Sequence, residues 1–122
     1  MRVAILNISI GRYTVFWKEF YETCELNFMP NDEKEYFVFT DDMNIIYGKE
    51  KNVHLIFQDD MGWPYNTMKR FHLFKSIESE LLKFDYIFFM NGNMVFLKKL
   101  ERTFINPNKN IITLEHPRIC KI

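Results

Sequence analysis

"RVAILNISIGRYTVFWKEFYETCELNF", residues 2 to 28, decides the fold. Residues 2 to 9 form an apolar run rich in β-formers, as a buried strand requires. Gly11 follows where the chain must turn. Beyond it Phe16, Phe20, Cys24 and Phe28 recur at every fourth residue, which puts them along one face of a helix. Strand, glycine-containing turn and amphipathic helix together open a βαβ unit.

Outward from this unit the pattern continues. "EYFVFT" at 35 to 40 reads as a second buried strand ended by Asp41-Asp42, and "NVHLIF" at 52 to 57 as a third. From Asn66 to Phe84 the apolar residues Met68, Phe71, Phe74, Ile77 and Leu81 are spaced by three and four, with Pro64 upstream and Asn66 able to cap, so one helix is expected over that span. "DYIFFM" at 85 to 90 then reads as a central strand. "IITLE" at 111 to 115 is expected as a last short strand after the turn cluster Asn106, Pro107, Asn108 and Asn110. Strands alternating with helices give a mostly parallel sheet with helices over its faces. Ligands of such sheets bind outside the carboxyl ends of the strands. Those ends are the 7 to 13 loop, the "TDD" at 40 to 42 and the "NGN" at 91 to 93.

A chain of 122 residues supplies one domain with a real core and too little for two. Its 16 basic and 16 acidic residues cancel, which disfavours general binding to nucleic acid or a membrane surface. The apolar runs are shorter than the roughly 18 residues of a bilayer span, so neither a signal peptide nor a transmembrane segment is expected. Cys24 and Cys120 match no metal spacing and read as two inert thiols.

Three features stand apart from this framework. Asn-Gly between the apolar runs of "FFMNGNMVF", 88 to 96, is a strong hairpin signal, because both residues tolerate positive φ. Lys69 and Arg70 fall at the start of the expected helix, where positive charge opposes the macrodipole. They are either solvated surface charges or, with the helix N-terminus, an attractor for an anion such as phosphate. Trp63, between Gly62 and Pro64, is a core anchor or a stacking platform, and Tyr13 is open to the same two readings. No Gly-rich phosphate loop, Gly-x-Ser-x-Gly, His-Glu-x-x-His or Cys-x-x-Cys is present, and His54, His72 and His116 are isolated in sequence.

Taken together, "NISIGRYTVFWKEFYETCELNFM" (7 to 29), "YFVFTD" (36 to 41), "WPYNTMKRF" (63 to 71), "DYIFFMNGNMVF" (85 to 96) and "TLEHP" (113 to 117) resemble, in order and spacing, glycosyltransferase family 6. This is the family of the blood-group A and B transferases and the α-1,3-galactosyltransferases. The resemblance implies a GT-A, Rossmann-like α/β fold, of which residues 1 to 122 form the UDP-sugar-binding, N-terminal half. It implies transfer of Gal or GalNAc from UDP-galactose or UDP-GalNAc to a β-galactoside glycan acceptor, with retention of configuration. Carried over by motif, Ile8 and Ile10 match residues that hold the uracil, and Tyr13 an aromatic that packs on the uridine. Trp63 and Arg70 match the donor-site tryptophan and arginine, and His116 a residue that touches the acceptor galactose. Asn91 and Asn93 stand where the mammalian enzymes carry Asp-x-Asp, whose carboxylates ligate Mn²⁺. Bacterial members with Asn-x-Asn work without metal, so no metal and no other cofactor is expected here, and the asparagines are expected to hydrogen-bond donor sugar or phosphate.

The family continues past "HP" with Gly-Phe-Tyr and a second half, whereas here "RICKI" occupies 118 to 122. That second half bears the acceptor pocket and the carboxylate assigned to the retaining reaction, so no catalytic residue is assigned in this chain. The expectation is a donor half-site that is a poor or inactive catalyst alone, in the cytoplasm because the bacterial-type members lack a stem and anchor. Two other readings remain open: a non-catalytic nucleotide-binding or interaction module of the same fold, and an α/β domain in which NGN is a plain turn.

Overall fold

The computed structural model describes residues 1–62, 69–101, 103, 105 and 108. Strand β1 (Arg2–Ser9) passes through a 3-10 turn (Gly11–Phe16) into helix α1 (Trp17–Asn27). Then come β2 (Glu33–Thr40), β3 (Val53–Phe57), two short helices, α2 (Arg70–Ser76) and α3 (Glu78–Leu81), and β4 (Tyr86–Phe89). The sheet runs β3-β2-β1-β4 with every pairing parallel, a Rossmann-like α/β arrangement. β1 is paired along its whole length with β2, from Arg2 opposite Glu33 to Ser9 opposite Thr40. On its other side Val3 to Leu6 lie opposite Tyr86 to Phe89.

A strand paired on both sides buries both faces, and β1 shows how the alternation is used. Val3 and Ile5 pack into one cluster with Trp17, Phe20 and Cys24 of α1. Ala4 and Leu6, on the opposite face, meet Leu81 of α3 and the flanking Phe74, Ile77 and Phe84. Helices thus cover the two faces as the alternating pattern requires. The end of α1 is closed by Lys34, whose buried Nζ donates to the carbonyls of Cys24 (3.0 Å), Glu25 (3.2 Å) and Phe28 (2.6 Å), groups that a helix terminus otherwise leaves unpaired. Burial pushes the Cys24 thiol up to about 12, which keeps it protonated and unreactive; Cys120 lies outside the described residues.

Four expectations are corrected. Residues 11 to 16 wind as a 3-10 turn, so Phe16 is rotated outward and the buried stripe is Trp17, Phe20, Tyr21 and Cys24. The helix expected over 66 to 84 breaks at Ile77, whose ψ of 21° ends α2 before α3 begins. Ser76 supplies a physical cause, because its hydroxyl donates back to the Leu73 carbonyl, a contact that bends helices. β4 is an edge strand among the described residues, with Ile87 and Phe89 exposed.

No hairpin succeeds NGN among the described residues. The chain instead runs back along α1, where the Phe96 N–H donates to Thr23 Oγ1 (3.1 Å) and Asn27 Nδ2 donates to the Phe96 carbonyl (2.6 Å). The rings of Phe20 and Phe28, 5.9 and 5.3 Å from that of Phe96, offer it a better partner than an antiparallel strand would. The expected strand at 111 to 115 lies outside the described residues. Among those described, no helix is long and apolar enough to cross a membrane.

Candidate functional site

The order β3-β2-β1-β4 means that the chain leaves β1 toward β2 on one side and returns to it with β4 on the other. Adjacent strands whose connections diverge in this way open a crevice at their carboxyl ends. A cavity of about 440 Å³ lies there, within the size range of small-ligand sites. Its walls are the end of β1 and the turn after it (Ile8, Ile10, Arg12, Tyr13), the end of β4 and the NGN loop (Phe89, Asn91, Gly92, Asn93), the start of α2 (Arg70), and the loop residues Asp60 and Gly62.

Each wall is held by local chemistry. Gly11 turns the chain out of β1 with φ of +61°, and its N–H donates to Asp41 Oδ1 at 3.1 Å, so the carboxylate ending β2 braces the β1 turn. On its other side a Cβ at Gly11 would fall 2.5 Å from Asp60 Oδ2. Only glycine meets both conditions without strain. This turn leaves Ile10 buried and Tyr13 54% exposed at the cavity mouth. At the opposite wall NGN is a turn closed by the Met94 N–H on the Asn91 carbonyl (3.2 Å). Gly92 is buried while Asn91 and Asn93 are exposed, so the glycine seats the loop and the two amides flank the cavity. The tight-turn reading and the site reading of NGN therefore describe one object.

Arg70 opens α2, with Lys69 as its N-cap. Its guanidinium lies 5.2 Å over the Phe89 ring and 5.3 Å over the Phe71 ring, contacts that orient it without neutralising it. Among the described residues neither Arg70 nor Arg12 has an ion-pair partner. Two cations without an ion-pair partner among the described residues, at the rim of a cavity, suit an anionic ligand. Asp60, at the same rim, has an oxygen accepting the Gly62 N–H at 2.9 Å.

Six residues singled out from the sequence, Ile8, Ile10, Tyr13, Arg70, Asn91 and Asn93, come together in this one cavity from three separate stretches of the chain. Trp63 and His116 lie outside the described residues. Arg12, Asp60 and Phe89 were not singled out. Arg12 was legible as a cation in the turn after β1, while Asp60 and Phe89 are placed only by the tertiary fold. The donor set at NGN consists of amide oxygens, and among the described residues no three of His, Cys, Asp and Glu come together. Amide oxygens are neutral, so they hold a hard divalent cation less strongly than carboxylates do.

No family model matches the chain. It is 36% identical over 118 residues to the O-antigen biosynthesis glycosyltransferase WbnI of Escherichia coli, an alignment covering 96% of this chain and 50% of that protein. The chain therefore spans about half the length of the curated relative it matches. It is homologous to a glycosyltransferase, and its parallel sheet is consistent with part of a glycosyltransferase fold.

Proposed function

We propose that the cavity between β1 and β4 is the nucleotide-sugar site of a GT-A hexosyltransferase, taking a UDP-linked Gal or GalNAc. The observation that carries this is the convergence of Ile8, Ile10, Tyr13, Arg70, Asn91 and Asn93 on a single cavity at the switch point of the sheet. In this reading Ile8 and Ile10 hold the uracil against the end of β1, and the exposed Tyr13 ring packs on the uridine. Arg70 and Arg12 meet the diphosphate, and the Asn91 and Asn93 amides hydrogen-bond sugar or phosphate. The reaction breaks the bond between the sugar C1 and the UDP oxygen and forms one from C1 to an acceptor hydroxyl, with retention. Negative charge grows on the departing UDP as that bond breaks, and these cations stabilise it without a metal. In this reading the acceptor is a β-galactoside glycan, and a relative that acts in O-antigen biosynthesis supports a glycan as the acceptor class.

Calorimetric titration of the purified chain with UDP and UDP-galactose, in EDTA and again in Mn²⁺, tests the proposal. Equal binding under the two conditions is expected. Absence of binding in both sinks the donor-site reading, and binding that requires Mn²⁺ sinks its metal independence. Transfer of labelled galactose to a β-galactoside, assayed on the same sample, separates the enzyme from a non-catalytic binding module.

A further inference from the structure

Asn7 and Ser9 are both fully buried near the end of a strand whose other buried positions are apolar. An amide placed where a Val or Ile would pack loses its hydration, and such groups are ordinarily hydrogen-bonded. The Ser9 hydroxyl donates to Asn7 Oδ1. Asn7 Nδ2 has no hydrogen-bond partner among the described residues.

The NGN loop lies over this pair. A Cβ built on Gly92 would sit 3.2 Å from the Ile8 carbonyl oxygen, 3.8 Å from Ser9 Oγ and 4.0 Å from Asn7 Nδ2. The last ladder bond joining β4 to β1 is the Met90 N–H on the Leu6 carbonyl (3.3 Å), immediately before the loop leaves the sheet. The position of 91 to 93 is therefore set by that bond, by the turn closing at Met94, and by the surface on which the loop rests.

We infer that Asn7 is a positioning residue for the 91–93 loop: its buried amide is the anchor against which the loop's main chain is set, with Ser9 fixing the orientation of that amide. The amide occupies the space beneath Gly92, on the side where a Cβ would approach it. Asn91 and Asn93 flank Gly92 and face the cavity, so a small displacement of the glycine moves both amides at once. The consequence for ligand binding rests on the donor-site reading, whereas the anchoring itself does not.

Residue-by-residue amide exchange in the free chain tests the anchor. Asn7→Leu keeps the branched skeleton and removes the amide. The Met94 N–H, which closes the loop, is expected to exchange at least about tenfold faster in this variant, while the Ile5 and Val38 amides of the sheet change by less than about threefold. Unchanged exchange at Met94 overturns the inference, and so does an equal rise at Met94, Ile5 and Val38, which would mark a merely structural role. Should Asn7→Leu fail to fold, Ser9→Ala frees the amide to rotate, and a rise of about threefold confined to Met94 is expected. UDP titration of the same samples separates the two claims. Weaker binding in step with faster loop exchange supports both, while altered exchange with no UDP binding by the unsubstituted chain sinks the donor-site reading and leaves the anchor standing.

Discussion

The two ends of the parallel sheet are built from opposite treatments of charge. Where the strands begin, a groove of about 320 Å³ is lined by Arg2, Glu35, His54, Glu80 and Lys83 over an apolar floor. Each of these has a partner: Glu35 bridges Arg2 (2.8 Å) and His54 (2.9 Å), and Lys83 pairs with Glu80 (3.3 Å). Arg2 also stacks over Phe84 at 4.6 Å, and its main-chain N–H donates to Asp85. Where the strands end, Arg12 and Arg70 have no ion-pair partner among the described residues, and the buried Asn7 Nδ2 beneath the NGN loop has no hydrogen-bond partner among them. Both ends offer concavity and charge. Among the described residues only the second leaves cations without an ion-pair partner, and that is the property an anion site needs.

The contrast is open to direct attack by substitution. Arg70→Ala should weaken UDP binding by about tenfold to a hundredfold, the loss of charge-assisted hydrogen bonds worth about 1.5–3 kcal/mol, with little change in melting temperature. Unaltered affinity by calorimetry would contradict a role for the Arg70 guanidinium in holding the diphosphate. Gly11→Ala forces a side chain into positive φ, so the denaturant midpoint should drop by the equivalent of about 1–2 kcal/mol, and UDP binding should weaken as the β1 turn shifts. Arg2→Ala at the other end should lower stability by no more than about 1 kcal/mol, because exposed ion pairs contribute little, and leave UDP affinity untouched. A large loss of affinity there would break the comparison.

The smallest effect is a pH dependence. Burial pushes the Glu35 carboxyl up, but the hydrogen bonds and charges of His54 and Arg2 outweigh it and hold the group below the usual carboxylate range. A pKa depressed on folding contributes stability that is present above the unfolded value and lost as pH falls through the folded one. Melting temperature should therefore fall with acid less steeply in Glu35→Gln than in the unsubstituted chain, and identical slopes would mean that the bridge carries no linkage.

Much of the fold was legible because β1 through β4 each carry a mostly apolar run, and β1 was readable to its terminal residues. The helices were harder to place. Fourfold spacing of Phe16, Phe20, Cys24 and Phe28 marks a helix correctly, yet the 3-10 winding before Trp17 changes which ring is buried, and periodicity does not register that shift. Likewise the pattern from 66 to 84 holds across Ile77, because a bend need not disturb the spacing of apolar residues. The hairpin signal at NGN predicted the turn and misjudged the path of the chain beyond it, since Phe96 is drawn to rings on α1 that are distant in sequence. Most of the candidate site was visible as strand ends and misplaced cations, and the family resemblance assigned roles that composition could not. The Asn7–Ser9 pair was visible as polar residues in an apolar strand, but its meaning depends on Gly92, eighty-five positions away from Asn7 in the numbering.

In the proposed reading, the end of the sheet that leaves Arg12 and Arg70 without an ion-pair partner among the described residues binds a nucleotide. Mapping backbone amide shifts of the isotopically labelled chain during titration with UDP separates the two ends. Perturbations are expected at residues 8 to 13, at Arg70 and at 91 to 94, with Arg2, Glu35 and His54 unmoved. Shifts centred on Arg2, Glu35 and His54, or none at either end, would contradict that reading.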